Sequence, residues 1–261
     1  MINNPPRNAL HSGLPINGLR QLVKLSGYPL QTVVASKLQK EFGVTEEWGY
    51  PDRNTQEHRT LDVYGFKALA EENKSGTLIR PNVALLVECK QSALPYFFFQ
   101  SVAYQNRPIP MFPAIVGVQR LELSAGQTSR QVRPAECLGL VSERFIFGDP
   151  PVCASFARAA KKGKAPEEEL DRTGAQPDFV KVQNLEITGA DAYQNVILPL
   201  ASAMRHLREY YQPDSTGSVI GATLALAVCV LDAPMVLVTG PSEEPTLALA
   251  PWIRVVRCVF R

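Results

Sequence analysis

Hydrophobic positions along this chain recur every fourth residue in some stretches and every second in others. Leu30, Val34, Leu38 and Phe42 return at helical spacing with Val33 beside them, which predicts a helix over 29–42 stopped at Gly43. The periodicity then shortens. VTEEWGY (44–50) and TLDVYGF (60–66) read as strands separated by the polar turn PDRNTQEHR, and NVALLVECK (82–90) reads as a third. ALPYFFFQSVAYQ (93–105) fits a helix or a buried loop, PAIVGVQRLEL (113–123) a strand, and the polar stretch 158–176 an exposed loop. A second helix follows to about Tyr211, with Val196, Leu200, Met204 and Leu207 on one face. Strands are expected at 222–230, 234–240 and 252–260, the first of them central because it is apolar on both faces.

The third strand ends oddly. An apolar run from Val83 to Val87 stops at Glu88, Cys89 and Lys90, and strand alternation turns Glu88 and Lys90 to one face. An acid and a base in such a place are costly to desolvate without partners. If strands 60–66 and 82–90 pair antiparallel, Asp62 comes beside Glu88, and two neighbouring carboxylates call for a cation. A hard divalent ion such as Mg²⁺ suits one or two carboxylates. The plainer alternative is an ion pair of Lys90 with Asp62 or Glu88 at a sheet edge.

HRTLDVYGF followed by NVALLVECKQS resembles the PD-(D/E)xK nuclease superfamily, whose fold is restriction-endonuclease-like. The resemblance covers the element order from about 29 to 100 and, more weakly, 192 to 231. It implies an α/β fold: a mixed central sheet flanked by helices, with an insertion between the third core strand and the second core helix. The chain then divides into an N-terminal arm (1–28), a first core half (29–100), the insertion (101–190) and a second core half (191–261). It further implies Mg²⁺ (or Mn²⁺) held by Asp62, Glu88 and the backbone carbonyl of Cys89, with Lys90 assisting the attacking water. The implied activity is hydrolysis of DNA phosphodiester bonds in restriction, anti-phage defence or repair. Many members carry a glutamate on the first helix; here Gln31 stands there, or its work passes to Glu46 or Glu47. The competing expectation is a catalytically weak or inactive module for DNA recognition or assembly in a larger defence complex, as a homo-oligomer or a partner subunit.

Composition narrows this picture only a little. The formal net charge of the 261 residues is +2, so any polyanion must find a local patch. Arg158, Lys161, Lys162 and Lys164 form one, although EEELD follows and a solvated loop is the competing reading. Arg59, Lys67 and Arg80 lie nearer the expected site. Tyr96 to Phe99 would stack on bases or simply pack, His58 is a candidate base or a turn residue, and Gln91 a site residue or a solvated strand end. Asp52 of the literal Pro51-Asp52 falls in the polar turn, where the family's acid does not sit. Five scattered cysteines without a CxxC pair argue against zinc and for free thiols in a reducing cytoplasm. Residues 219–238 are apolar enough to suggest a membrane span, but Asp232 and Pro234 favour two strands. GDPP and TGPS lack the ending of a phosphate loop, no GxSxG elbow is present, and MINNPPRNALHSG has no features of a secretion leader.

Overall fold

The structure is a computed structural model that describes residues 15–53, 55–69, 79–101, 114–116, 121–125, 128–132, 151–161, 185–210 and 220–256. Two helices open it, α1 (Ile16–Leu25) and α2 (Tyr28–Leu38). Gly27, at φ 80, makes the left-handed break between them, and Pro29 sits in the first turn of α2, where its missing N–H costs nothing. The expected arm at 1–28 therefore contains a helix from Ile16. Its spacing was concealed by the Pro and Gly residues on either side.

The hairpin β1 (Gly43–Pro51) and β2 (His58–Ala68) comes next, followed by β3 (Ile79–Gln91). β1 pairs β2 antiparallel, and β2 pairs β3 antiparallel. β10 (Ile220–Asp232) lies parallel to β3, matched residue for residue from Ile79–Ile220 to Gln91–Asp232. With β5 (Ala114–Val116) on its outer edge, β10 is central, and the sheet order is β1-β2-β3-β10-β5. The mixed α/β sheet of the sequence reading is present.

Helices cover both faces. Gly189–Ala192 (α3), a π turn at Tyr193–Ile197 and Leu198–Tyr210 (α4) run without interruption. Val196, Leu200, Met204 and Leu207, the stripe read from sequence, are all buried here against Leu61, Ala84, Leu86 and Ala225. On the opposite face Leu30, Val34, Ala35 and Leu38 of α2 pack on Val63, Val87 and Cys89. Among the described residues no helix is long and apolar enough to cross a membrane, and 220–239 forms two strands joined at Ala233-Pro234.

A second sheet departs from sequence expectation. YFFFQ is strand β4 (Tyr96–Gln100), neither helix nor loop. The foreseen strand at 113–123 is β5 plus the start of β6 (Leu121–Ala125), which forms a separate hairpin with β7 (Thr128–Val132). Part of the expected loop at 158–176 is the end of β8 (Val152–Lys161), an element hidden by its small alanines and basic residues; Lys162 and Lys164 lie outside the described residues. β9 (Leu185–Thr188), β11 (Met235–Thr239), β12 (Thr246–Leu249) and β13 (Arg254–Val255) complete the set. Their order is β12-β11-β4-β8-β13, with β9 also on β8. The parallel pair β3/β10 passes through short links into the parallel pair β4/β11, stitched by Ser92 N–H to Asp232 O at 3.0 Å and Tyr96 N–H to Pro234 O at 2.9 Å.

Leu207 is fully buried at the centre of the larger core. Leu207→Ala is expected to lower stability by about 2–5 kcal/mol, from lost transfer energy plus a residual cavity. Val33→Ala, at a 51% exposed position, should change it by less than about 0.5 kcal/mol. Urea unfolding midpoints check both.

Candidate active site

The β2–β3 ladder ends at the Val63–Val87 pair, one step short of Asp62 and Glu88, while β10 stays paired with β3 through Gln91. Only β2 departs. The Asp62 side chain bridges the opening, its Oδ2 accepting the Cys89 backbone N–H at 2.6 Å where a strand carbonyl would otherwise serve. N–H and C=O of one strand residue face the same edge, so the Cys89 carbonyl is directed at the same gap. Its thiol packs away from it with α2, and burial pushes that thiol up to about 12.

Glu88 is 4% exposed. Its Oε1 accepts a hydrogen bond from Lys90 Nζ, and its Oε2 is sealed from solvent with no partner. Burial pushes its carboxyl up to about 7 against the pull of Lys90, and the Asp62 charge adds to the rise. Burial works to lower the Lys90 ammonium, but the Glu88 hydrogen bond and the carboxylate charges outweigh it and hold Lys90 above its usual range. Cys229 is the Glu88 neighbour across β10; burial first, and then the Glu88 charge, push its thiol up to about 12. Tyr50, 1% exposed, donates to Pro199 O at 3.0 Å, and burial raises its hydroxyl to about 12 with Glu88 and Asp52 contributing.

The structure thus brings together Asp62, Glu88, Lys90 and the Cys89 backbone. Gln31 is buried on α2, which packs on the Cys89 face, whereas Glu88 and Lys90 project from the other face by strand alternation. Glu46 and Glu47 are exposed on β1 and form no hydrogen bond or ion pair among the described residues. Glu47, at φ 50, stands across from Asp62 in a left-handed kink. Asp52 is not the solvated turn residue that the sequence suggests. It is 4% exposed, with Arg59 Nε 2.6 Å from its Oδ2 (a charge contact without hydrogen-bond alignment) and Ser202 Oγ 3.5 Å away, and it ties the β1–β2 hairpin to α4. His58 pairs with Pro51 at the outer end of the hairpin, and Lys67 is engaged by Glu41 at 2.7 Å. Gln91 donates to Asp232 at 2.9 Å, leaving its buried Oε1 without a partner.

Sequence reasoning missed Cys229, which pairs with Glu88 from β10, and Tyr50, whose buried hydroxyl is subject to the Glu88 charge. Tyr50 gave no local signal, because the carbonyl it donates to, that of Pro199, is distant in the chain; Cys229 needs the β3–β10 register, which no local pattern supplies.

A divalent cation fits these residues. Glu88 Oε2 is a buried acceptor without a donor, the second oxygen of Asp62 has no hydrogen bond among the described residues, and the Cys89 carbonyl faces the same gap. Among the described residues no three His, Cys, Asp or Glu side chains gather as a ligand group, and two carboxylates and a carbonyl are what those residues offer here. Mg²⁺, which takes one or two carboxylates and fills its shell with water and substrate oxygens, matches that set.

The Glu88 shift carries a pH consequence for stability. Between pH 4.5 and about 7 the unfolded chain has lost the Glu88 proton and the folded chain retains it, so stability falls as pH rises through this window. Lys90 is charged in both states there and adds no slope. Glu88→Gln should flatten the decline, by up to about 3 kcal/mol across the window; urea melts at successive pH values read it, and equal slopes in both proteins would contradict it.

Compared with known proteins, the chain matches no family model, no curated protein and no solved structure.

Proposed function

We propose that the chain is a metal-dependent nuclease that hydrolyses DNA phosphodiester bonds at Asp62, Glu88 and Lys90. The observation that carries this reading is the orphaned Glu88 Oε2, a buried carboxylate oxygen beside a second carboxylate at the opened end of a strand pair. A divalent cation bound there would supply Lewis-acid activation and neutralise charge on the phosphate. The chain's own residues do the rest. The Cys89 N–H fixes the Asp62 carboxylate, and the Lys90 hydrogen bond fixes one oxygen of Glu88 and leaves the second without a donor. Lys90, with 28% of its side chain exposed, keeps two ammonium protons for a substrate oxygen and stabilises charge developing on it. A cytoplasmic role in restriction, anti-phage defence or repair belongs to the same proposal and rests on the resemblance of DVYGF…ECK alone.

A second reading has one observation in its favour. Gln31 brings no charge and sits on α2, in the layer opposite Glu88, so among the described residues the site has two carboxylates and no third. That suits a nuclease-fold module that recognises DNA or assembles with a partner without cutting.

Plasmid and single-stranded DNA incubated with Mg²⁺ or Mn²⁺ separate the two readings. Wild type should nick or degrade one of them, Asp62→Ala and Glu88→Ala should leave no measurable cutting, and Lys90→Ala should lose about 10²–10⁴-fold. DNA and Mn²⁺ binding without cutting would favour the module; equal cutting by wild type and variants would place any activity elsewhere.

A further inference from the structure

Four basic side chains around the core have acidic partners: Arg53 with Glu209, Arg59 with Asp52, Lys67 with Glu41 and Lys90 with Glu88. Arg158 does not. It stands at the inner end of β8, opposite Tyr96 of β4 on one side and Thr188 of β9 on the other. It is half-buried, its Nε is sealed from solvent, and it makes no hydrogen bond or ion pair with any described residue. A guanidinium nitrogen sealed from water without an acceptor is costly, and the five donors of the group match the oxygens of a phosphate.

Its position gives the vacancy a direction. Tyr96 is 3% exposed and begins β4, where the chain leaving β3 through Ser92 enters the second sheet. Burial raises the Tyr96 hydroxyl; Arg158 is the strongest opposing influence, and Lys90 acts in the same sense. Tyr96 pairs with Arg158 across the β4–β8 ladder and follows Lys90 through the short link at Ser92, so the backbone itself joins the two cations. Asp191 also acts on the hydroxyl, and among the described residues no ion pair joins it to Arg158.

We propose that Arg158 is a phosphate-binding residue, and that it holds the backbone of a single DNA strand beside the bond facing Glu88, Asp62 and Lys90. The identity of the strand rests on the nuclease reading; the anion site does not. Arg158 is a positioning residue: it holds charge on the ligand and transfers no proton.

The test uses the full chain in EDTA, which prevents metal-dependent cutting, with a fluorescent single-stranded oligodeoxynucleotide and with inorganic pyrophosphate. Arg158→Gln should weaken oligonucleotide binding about tenfold and reduce the slope of log K against log salt by about 0.7. Arg158→Lys, which keeps the charge without the fork, should recover part of both. Arg53→Gln, at an exposed pair, should leave both unchanged. In the wild type, the Arg158 Nε–H resonance should move on adding either probe, a readout that stands even if a variant fails to fold. An unmoved resonance, or Arg158→Gln binding like wild type with the same salt slope, overturns the proposal. Loss of binding in Arg158→Gln from a chain that never cuts DNA supports the anion site and sinks the hydrolytic reading. Cutting with KM unchanged in Arg158→Gln does the reverse.

Discussion

A carboxylate driven into a dry place needs a reason, and Glu88 is the residue on which the rest of this architecture turns. Its strand is held on one side by the full-length parallel partner β10 and released on the other when β2 leaves after Val63. That release places a charged side chain where a backbone carbonyl should be, with Asp62 accepting the Cys89 N–H. The result is an opening at the end of a core strand, beside Cys229 of β10, containing an acid whose second oxygen has nothing to accept. Lys90 offsets part of the burial cost but satisfies only one oxygen. A structure that retains an unsatisfied buried carboxylate oxygen has sacrificed stability, and a cation is the simplest group that returns it.

The second sheet gives that opening a continuation. Because β3 and β10 pass directly into β4 and β11, the floor does not end at Lys90; it turns through Ser92 and goes on to Tyr96 and, across the ladder, to Arg158. The helices support it from both sides: α4 carries Leu200, Met204 and Leu207 under the strand with Glu88, and α2 closes the face beneath Cys89.

The parts of this fold that could be read from the sequence were those whose period survives burial on one side. The α2 stripe at Leu30, Val34 and Leu38, the α4 stripe, and the apolar run broken at Glu88 all declare themselves locally. In the candidate site, Glu88 and Lys90 stood out because charges after five apolar residues conflict with their neighbours, and Asp62 followed from the expected antiparallel pairing of its strand. What could not be read depended on partners distant in sequence. YFFFQ forms a strand because β8 and β11 lie beside it, a tertiary circumstance that overrides an ambiguous aromatic run. Ala157, Ala159 and Ala160 blur the polarity of β8, so Arg158 reads as loop when it is on a central strand. Asp52 reads as solvated because Arg59 and Ser202, which make its burial tolerable, come from another strand and a distant helix.

The central claim is that Glu88 and Asp62 converge on one divalent cation. The most direct measurement is anomalous diffraction from crystals grown or soaked with Mn²⁺. The account predicts a single strong peak in the gap between β2 and β3, roughly 2.1 Å from Glu88 Oε2 and an Asp62 oxygen. An empty gap at saturating Mn²⁺, with Glu88 still held by Lys90 alone, would contradict it.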